Sequence, residues 1–137
     1  MNKTIFIDTG GFYALLSRQD SSHVKANEIL HRLAKDKQRA ITTDYVLDET
    51  VTLLQTKGLT HLVQRVFDAA FSSKACSMVW MDQQRFMKTW TFFLKHADHS
   101  WSFTDCASFI IMQEMKVSLA LAKDKHFQEA GFIPLLV

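Results

Sequence analysis

The sequence predicts an α/β fold, a short and mostly parallel sheet of four or five strands covered by helices to give three α/β/α layers. Three observations carry this. Short apolar runs without polar alternation, such as Thr4-Ile5-Phe6-Ile7, mark strands buried on both faces. Such runs alternate along the chain with longer segments of helical apolar period. The first run ends in Asp8-Thr9-Gly10-Gly11, a strand-to-helix turn.

The elements follow in order. Thr4 to Ile7 is the first strand, and a short helix is expected from Gly11 to Arg18 with Phe12, Leu15 and Leu16 on one side. Ser21 or Ser22 caps the next helix, whose Val24, Ile29, Leu30 and Leu33 repeat at helical spacing. Ala40-Ile41-Thr42 is a strand, and Thr43 or Asp44 opens a helix to Lys57, stopped by Gly58. Thr60 caps a helix bearing the stripe Leu62, Val63, Val66, Phe67 and Ala70. Met78-Val79-Trp80 is a strand. Asp82 then caps a helix to Lys95, with Phe86, Trp90, Phe93 and Leu94 as its expected buried side. Ser102 to Met115 is apolar nearly all round and reads as a central helix. Val117 to Leu121 is a strand, Lys125 to Ala130 a short helix, and Ile133 to Val137 a last strand.

Composition narrows the class. The chain has 137 residues, 47% hydrophobic and 22% charged, enough to bury one core, so residues 1–137 are expected to form one domain. Eleven Phe and three Trp exclude a disordered chain. No stretch reaches the roughly 18 apolar residues of a membrane span, and Met1-Asn2-Lys3-Thr4 lacks the apolar region of a signal peptide. Cytoplasmic residence without membrane contact is the expectation. Cys76 and Cys106 lack CxxC spacing and read as free thiols. A net charge of +2 permits a nucleic-acid partner without requiring one.

Four acids stand where ligands bind in such folds, beyond the carboxyl ends of the strands. Asp8 follows the first strand, and Asp124 follows the strand ending at Leu121. Each also suits an Asx turn or helix cap. Glu49 falls three after Val46 and four before Leu53, on an apolar stripe where a carboxylate needs a basic partner or a metal. Asp105 is spaced from Ser102 as in a capping box, yet shares a face with Phe109 and Met112. Carboxylates converge only around a cation. An all-oxygen donor set suits a hard ion, Mg²⁺ or Mn²⁺.

Four stretches then align with a known pattern: Phe6 to Leu15, Asp44 to Thr50, Ser102 to Phe109, and Ala122 to Phe127 followed by Ala130-Gly131-Phe132. In this order and spacing the chain resembles the PIN-domain family, and within it the VapC-type toxin ribonucleases of prokaryotic type II toxin–antitoxin pairs. The resemblance implies a PIN-like nuclease domain and Mg²⁺-dependent hydrolysis of RNA phosphodiester bonds by an activated water, Mn²⁺ being the alternative ion. It assigns Asp8, Glu49 and Asp105 as the principal catalytic metal-holding acids and Asp124 as a weaker fourth. Thr9 and Thr104 would orient these carboxylates by hydrogen bonding. It further implies a homodimer and a small antitoxin that reaches into the acidic groove. Ala122 departs from the family's Thr or Ser, which removes a hydroxyl from the site. A PIN nuclease of RNA processing, or a catalytically weak PIN-fold binding module, is the alternative.

Other residues carry weaker expectations. The six histidines lack ligand spacing such as HxxxH and read as surface residues, with His126, beside Asp124, a candidate substrate contact and His96 and His99 a candidate pair around Asp98. Arg18, Lys25, Arg32, Lys35, Lys37 and Arg39 form either a solvated face or a phosphate-tracking rim. Trp90, Phe92, Phe93 and Trp101 belong to core or dimer packing, with base stacking the alternative. The Leu62 to Phe67 stripe reads as core, or as a groove for an antitoxin helix.

Overall fold

A computed structural model describes residues 3–137, so Met1 and Asn2, read above as part of a start without a signal peptide, lie outside the described residues. Five strands, β1 (Thr4–Ile7), β2 (Arg39–Thr43), β3 (Cys76–Val79), β4 (Leu119–Leu121) and β5 (Ile133–Pro134), form one sheet. Their order is β3-β2-β1-β4-β5 and every pairing is parallel. Phe6 on the central strand pairs with Ile41 on one side and Ala120 on the other. The helices are α1 (Thr9–Leu16), α2 (His23–Lys35), α3 (Asp44–Thr56), α4 (Val63–Phe67), α5 (Gln83–Lys95), α6 (Phe103–Met115) and α7 (His126–Glu129). They complete the three α/β/α layers expected from the sequence.

The strand order fixes where a site can form. From β1 the chain steps outward to β2 and β3, then returns to the other side for β4 and β5. The switch lies between β1 and β4, and a crevice opens there beyond the carboxyl ends of the strands. A core of fully buried Phe6, Phe12, Phe109 and Phe127 backs it. Phe109 and Phe127 meet edge to face at 5.1 Å, a favourable aromatic geometry.

β3 starts at Cys76 and ends before Trp80, and β4 and β5 are shorter than expected, at Leu119–Leu121 and Ile133–Pro134; helices depart further. α1 begins at Thr9 rather than Gly11, because the backbone packs hard against β4: a Cβ on Gly11 would stand 2.1 Å from the Leu121 carbonyl oxygen. Only glycine permits that approach, so packing overrides its low helix propensity. The helix after Gly58 is broken into a tight turn at Thr60–Leu62, α4, and a wide turn at Asp68–Ser72. The Thr60 cap does not form, Leu59 standing at the N-cap position.

α5 docks through only part of the expected face, Phe86 and Phe93 meeting the Phe103 ring of α6 at 5.4 and 5.7 Å. Thr89 is fully buried and Phe92 and Phe93 are half-buried, while Phe86, Trp90 and Leu94 are exposed. The Arg85 guanidinium pairs with Glu114 at the end of α6 and bonds the Trp80 carbonyl, adding a polar tie to the packing of α5 on α6. Aromatic periodicity locates an amphipathic helix without saying which face docks when aromatics occupy both.

Candidate active site

β1 delivers the first carboxylate. Asp8 occupies the N-cap position of α1 but makes no side-chain capping bond, so its carboxyl group is left for the crevice. The residue is 6% exposed and its Oδ1 is buried without a hydrogen-bond partner. Burial pushes its pKa up to about 7, partly opposed by the Thr9 backbone amide and reinforced by Asp105, Glu49 and Asp124. The last three influences place four acids in one electrostatic neighbourhood.

α3 delivers Glu49. Thr43 caps this helix by accepting a hydrogen bond from the Val46 amide, which sets its start at the carboxyl end of β2. Val46, Leu47, Thr50 and Leu54 face the core, while Glu49 is half-buried and accepts a 2.6 Å hydrogen bond from the Thr9 hydroxyl. The basic partner considered from the sequence is not what holds it. The apolar stripe of α3 runs past the edge of the core there, so Glu49 opens onto the crevice.

α6 delivers Asp105 through a complete capping box. Ser102 Oγ accepts from the Asp105 amide and Asp105 Oδ2 accepts from the Ser102 amide, both at 3.0 Å. Such a cap is worth about 1 kcal/mol. It also holds the carboxylate rigidly at the start of a buried helix, so cap and site are the same residue. Asp124 lies past β4, where its Oδ1 accepts from the His126 amide at 2.9 Å in an Asx turn.

These four acids line one cavity of about 490 Å³, together with Thr9 and Gly10 from the β1 turn. Ser100, Ser102, Lys123 and His126 complete its wall. Thr104, expected to orient a carboxylate, is half-buried and outside that lining. It follows Phe103 into the first turn of α6, and the orienting contact to Asp105 comes from Ser102 instead. Ala122 is fully buried, its carbonyl accepting from the Leu136 amide at 3.1 Å.

Two residues of this wall are not named as site residues by sequence reasoning beyond a possible substrate contact for His126. The His126 imidazole turns inward, with Nδ1 3.0 Å from Asp105 Oδ2 and 3.1 Å from Asp124 Oδ2. Lys123 Nζ is held by both oxygens of Asp20 at 2.9 and 3.0 Å. Their signal was adjacency to Asp124 in a turn whose direction sequence does not reveal. His99 stacks on Trp101 at 3.9 Å with Nε2 4.0 Å from Asp98 Oδ2, and neither His96 nor His99 lines the cavity.

The basic residues, read as either a solvated face or a phosphate-tracking rim, form no single rim around the acids among the described residues. Arg39 opens β2 beside Thr4, at the amino edge of the sheet and opposite the acids, and Arg32 lines a recess with Lys3 on that same side. Arg18 instead joins Lys57, His61 and Arg65 around a cavity of about 640 Å³ near the far end of α1. Trp101 is buried, its indole N–H donating to Glu129 Oε1 at 3.0 Å, and is unavailable to a base. Leu62 and Val66 are core, while Phe67, Phe71 and Trp80 form an exposed aromatic cluster. Both cysteines are free, with burial raising each thiol to about 11.

The donor set fits a divalent cation. An unpartnered, buried carboxylate oxygen beside three further acids is costly unless positive charge is supplied. The one ammonium lining the cavity, that of Lys123, is engaged by Asp20. Oxygen donors of this kind select a hard ion.

Comparisons with known proteins bear on the family and the fold. The chain is 28% identical over 129 residues to the 23S rRNA-specific endonuclease VapC20 of Mycobacterium tuberculosis, covering 94% of this chain and 95% of that protein. It is 28% identical over 123 residues to a VapC ribonuclease of Archaeoglobus fulgidus, covering 88% and 77% respectively. The crystal structure of Mycobacterium tuberculosis VapC20, described as a sarcin-ricin loop cleaving toxin, superposes with a TM-score of 0.82 at 27% identity. That superposition covers 94% of this chain and 96% of the toxin. The sequence profile of the PIN domain matches residues 5–133, so the chain belongs to the PIN domain family.

Proposed function

We propose that this protein is a metal-dependent endoribonuclease, the toxin of a type II toxin–antitoxin pair, using Mg²⁺ or Mn²⁺ held by Asp8, Glu49, Asp105 and Asp124. The observation that carries the reading is the buried, unpartnered Asp8 Oδ1 in a cavity walled by three more carboxylates. A divalent cation bound there would lower the pKa of an attacking water and neutralise charge growing on the phosphodiester.

The chain's own residues account for the rest. Thr9 orients Glu49, Ser102 orients Asp105, and the backbone of His126 orients Asp124, so three of the four carboxylates are fixed before substrate arrives. α1 links the acidic cavity at Thr9 to the recess of Arg18, Lys57 and Arg65, about 12 Å away along the helix. That path supports a strand of RNA whose cleaved phosphate lies at the acids and whose neighbouring phosphates meet the recess. The exposed apolar residues of α5 and of the Phe67, Phe71 and Trp80 cluster offer surfaces for the homodimer and for the antitoxin. No helix among the described residues is long and apolar enough to cross a membrane.

The test is incubation of the purified chain with structured RNA, ribosomal RNA first, with Mg²⁺ and with EDTA. Discrete cleavage that EDTA abolishes is the expected result. Cation binding without cleavage would instead favour the binding-module reading and make Ala122→Ser the next variant.

A further inference from the structure

His126 opens α7 two residues after Asp124, and its ring returns to the acidic cavity. Nδ1 stands 3.0 Å from Asp105 Oδ2 and 3.1 Å from Asp124 Oδ2, and one ligand atom of each residue lies within 4.8 Å of the others. Adjacent ligands of an octahedral ion with bonds of about 2.1 Å are about 3.0 Å apart. The imidazole nitrogen therefore already sits one coordination edge from both carboxylates.

Those carboxylates are positioned by backbone amides, Asp105 by Ser102 and Asp124 by the His126 N–H, not by the ring alone. The far ring nitrogen, Nε2, lies 3.3 Å from Ser100 Oγ, which can accept a hydrogen bond from an Nε2–H. With the proton on Nε2, Nδ1 presents a lone pair, and a ligating histidine ordinarily gives its other N–H to such a partner. A separate observation points to a cation in the same cavity: the buried, unpartnered Asp8 Oδ1.

Resting on the reading of this cavity as a cation site, we propose that His126 is itself a ligand through Nδ1. With Asp105 and Asp124 it forms a mixed oxygen–nitrogen set that prefers Mn²⁺ to Mg²⁺. Carboxylates and water suit both ions, whereas an imidazole nitrogen favours the transition metal.

The experiment is Mn²⁺ titration of the full chain followed by electron paramagnetic resonance, with spin-echo modulation read for nitrogen bound to the ion. Wild type is expected to show nitrogen modulation whose isotope signature changes when histidine is labelled with ¹⁵N. The His126→Gln variant is expected to lose it, with Mn²⁺ affinity falling about tenfold or more and Mg²⁺ affinity falling less. The labelled wild-type spectrum decides the matter even if the variant does not fold. Bound Mn²⁺ and cleaved RNA without nitrogen modulation would overturn the ligand assignment alone and leave the nuclease reading standing. No Mn²⁺ binding at all would overturn both.

Discussion

The Thr9 hydroxyl donates a 2.6 Å hydrogen bond to Glu49 Oε1, joining the first turn of α1 to α3 across forty residues of sequence. Among the described residues it is the hydrogen bond that holds the Glu49 carboxylate at the mouth of the cavity. Replacing Thr9 by Val should lower divalent-cation affinity about tenfold, with cleavage falling in step, and Thr9→Ser should restore both. Mn²⁺ titration of the two variants makes the comparison; equal affinity in Thr9→Val would mean that Glu49 needs no orienting partner.

Asp8 makes stability depend on pH with a definite sign. Its carboxyl is raised from 3.8 to about 7 in the fold, so the folded chain binds more protons than the unfolded chain between those values. Stability is thus lost as pH rises through that window, and the full cost stands above it. Asp8→Asn removes the cost and should stabilise the metal-free protein at pH 8 by on the order of 2–4 kcal/mol, with no gain near pH 4. Thermal melts at the two pH values read this directly. Adding Mn²⁺ at pH 8 should raise the wild-type melting temperature more than that of the variant.

Gly11 has no room for a side chain beside the Leu121 carbonyl. Gly11→Ala is expected to destabilise the fold by at least about 3 kcal/mol, since backbone rather than a flexible side chain must yield. Gly58, which ends α3 at φ +71, meets nothing on adding a Cβ, so Gly58→Ala should cost only about 1 kcal/mol. Urea midpoints rank the two; a smaller loss at Gly11 than at Gly58 would show that α1 and β4 can separate.

The rotation of α5 turns out Trp90, which the sequence placed on the buried side, and buries its neighbour Thr89. Thr89 is fully buried and donates to the Arg85 carbonyl, while Trp90 is 49% exposed. Thr89→Leu overpacks the α5–α6 contact and should cost about 1–3 kcal/mol, whereas Trp90→Ser should leave the melting temperature of the monomer nearly unchanged. A wild-type dimer that Trp90→Ser disperses, read by light scattering, would assign this face to a second copy; a wild-type monomer would remove that role.

The basic recess gives a salt-dependent prediction. Lys57 and Arg65 line it with Arg18. Replacing both by Gln should weaken RNA binding across sequences and lower the slope of log affinity against log salt by about 1.4, two single-strand phosphate contacts. An unchanged slope would move the RNA path elsewhere.

The sheet was legible because β1 and β4 are short, largely apolar runs, and Asp8 and Asp124 were legible because the first directly follows β1 and the second stands three residues past β4. Asp105 was legible twice over, as a capping-box acid and as a group on a buried face. What sequence could not place is direction. The turn at Asp124 aims His126 back at Asp105, which only the Asx geometry reveals. Arg39 looked available to the site until parallel pairing put it beside Thr4, at the wrong end of the sheet. α5 carries aromatics on two faces, and its docking rests on contacts distant in sequence, the Phe103 ring and the Arg85–Glu114 pair among them.

The central claim is that the carboxylates around Asp8 form one cation-dependent centre for RNA cleavage. The most direct measurement is single-turnover cleavage of end-labelled RNA by wild type and Asp8→Asn, with Mn²⁺ binding and melting temperature recorded on the same samples. The account predicts a folded variant that binds Mn²⁺ weakly and cleaves at least about a hundredfold more slowly. Cleavage by a folded Asp8→Asn at the wild-type rate, with EDTA still abolishing it, would contradict the account and place the reaction elsewhere on the chain.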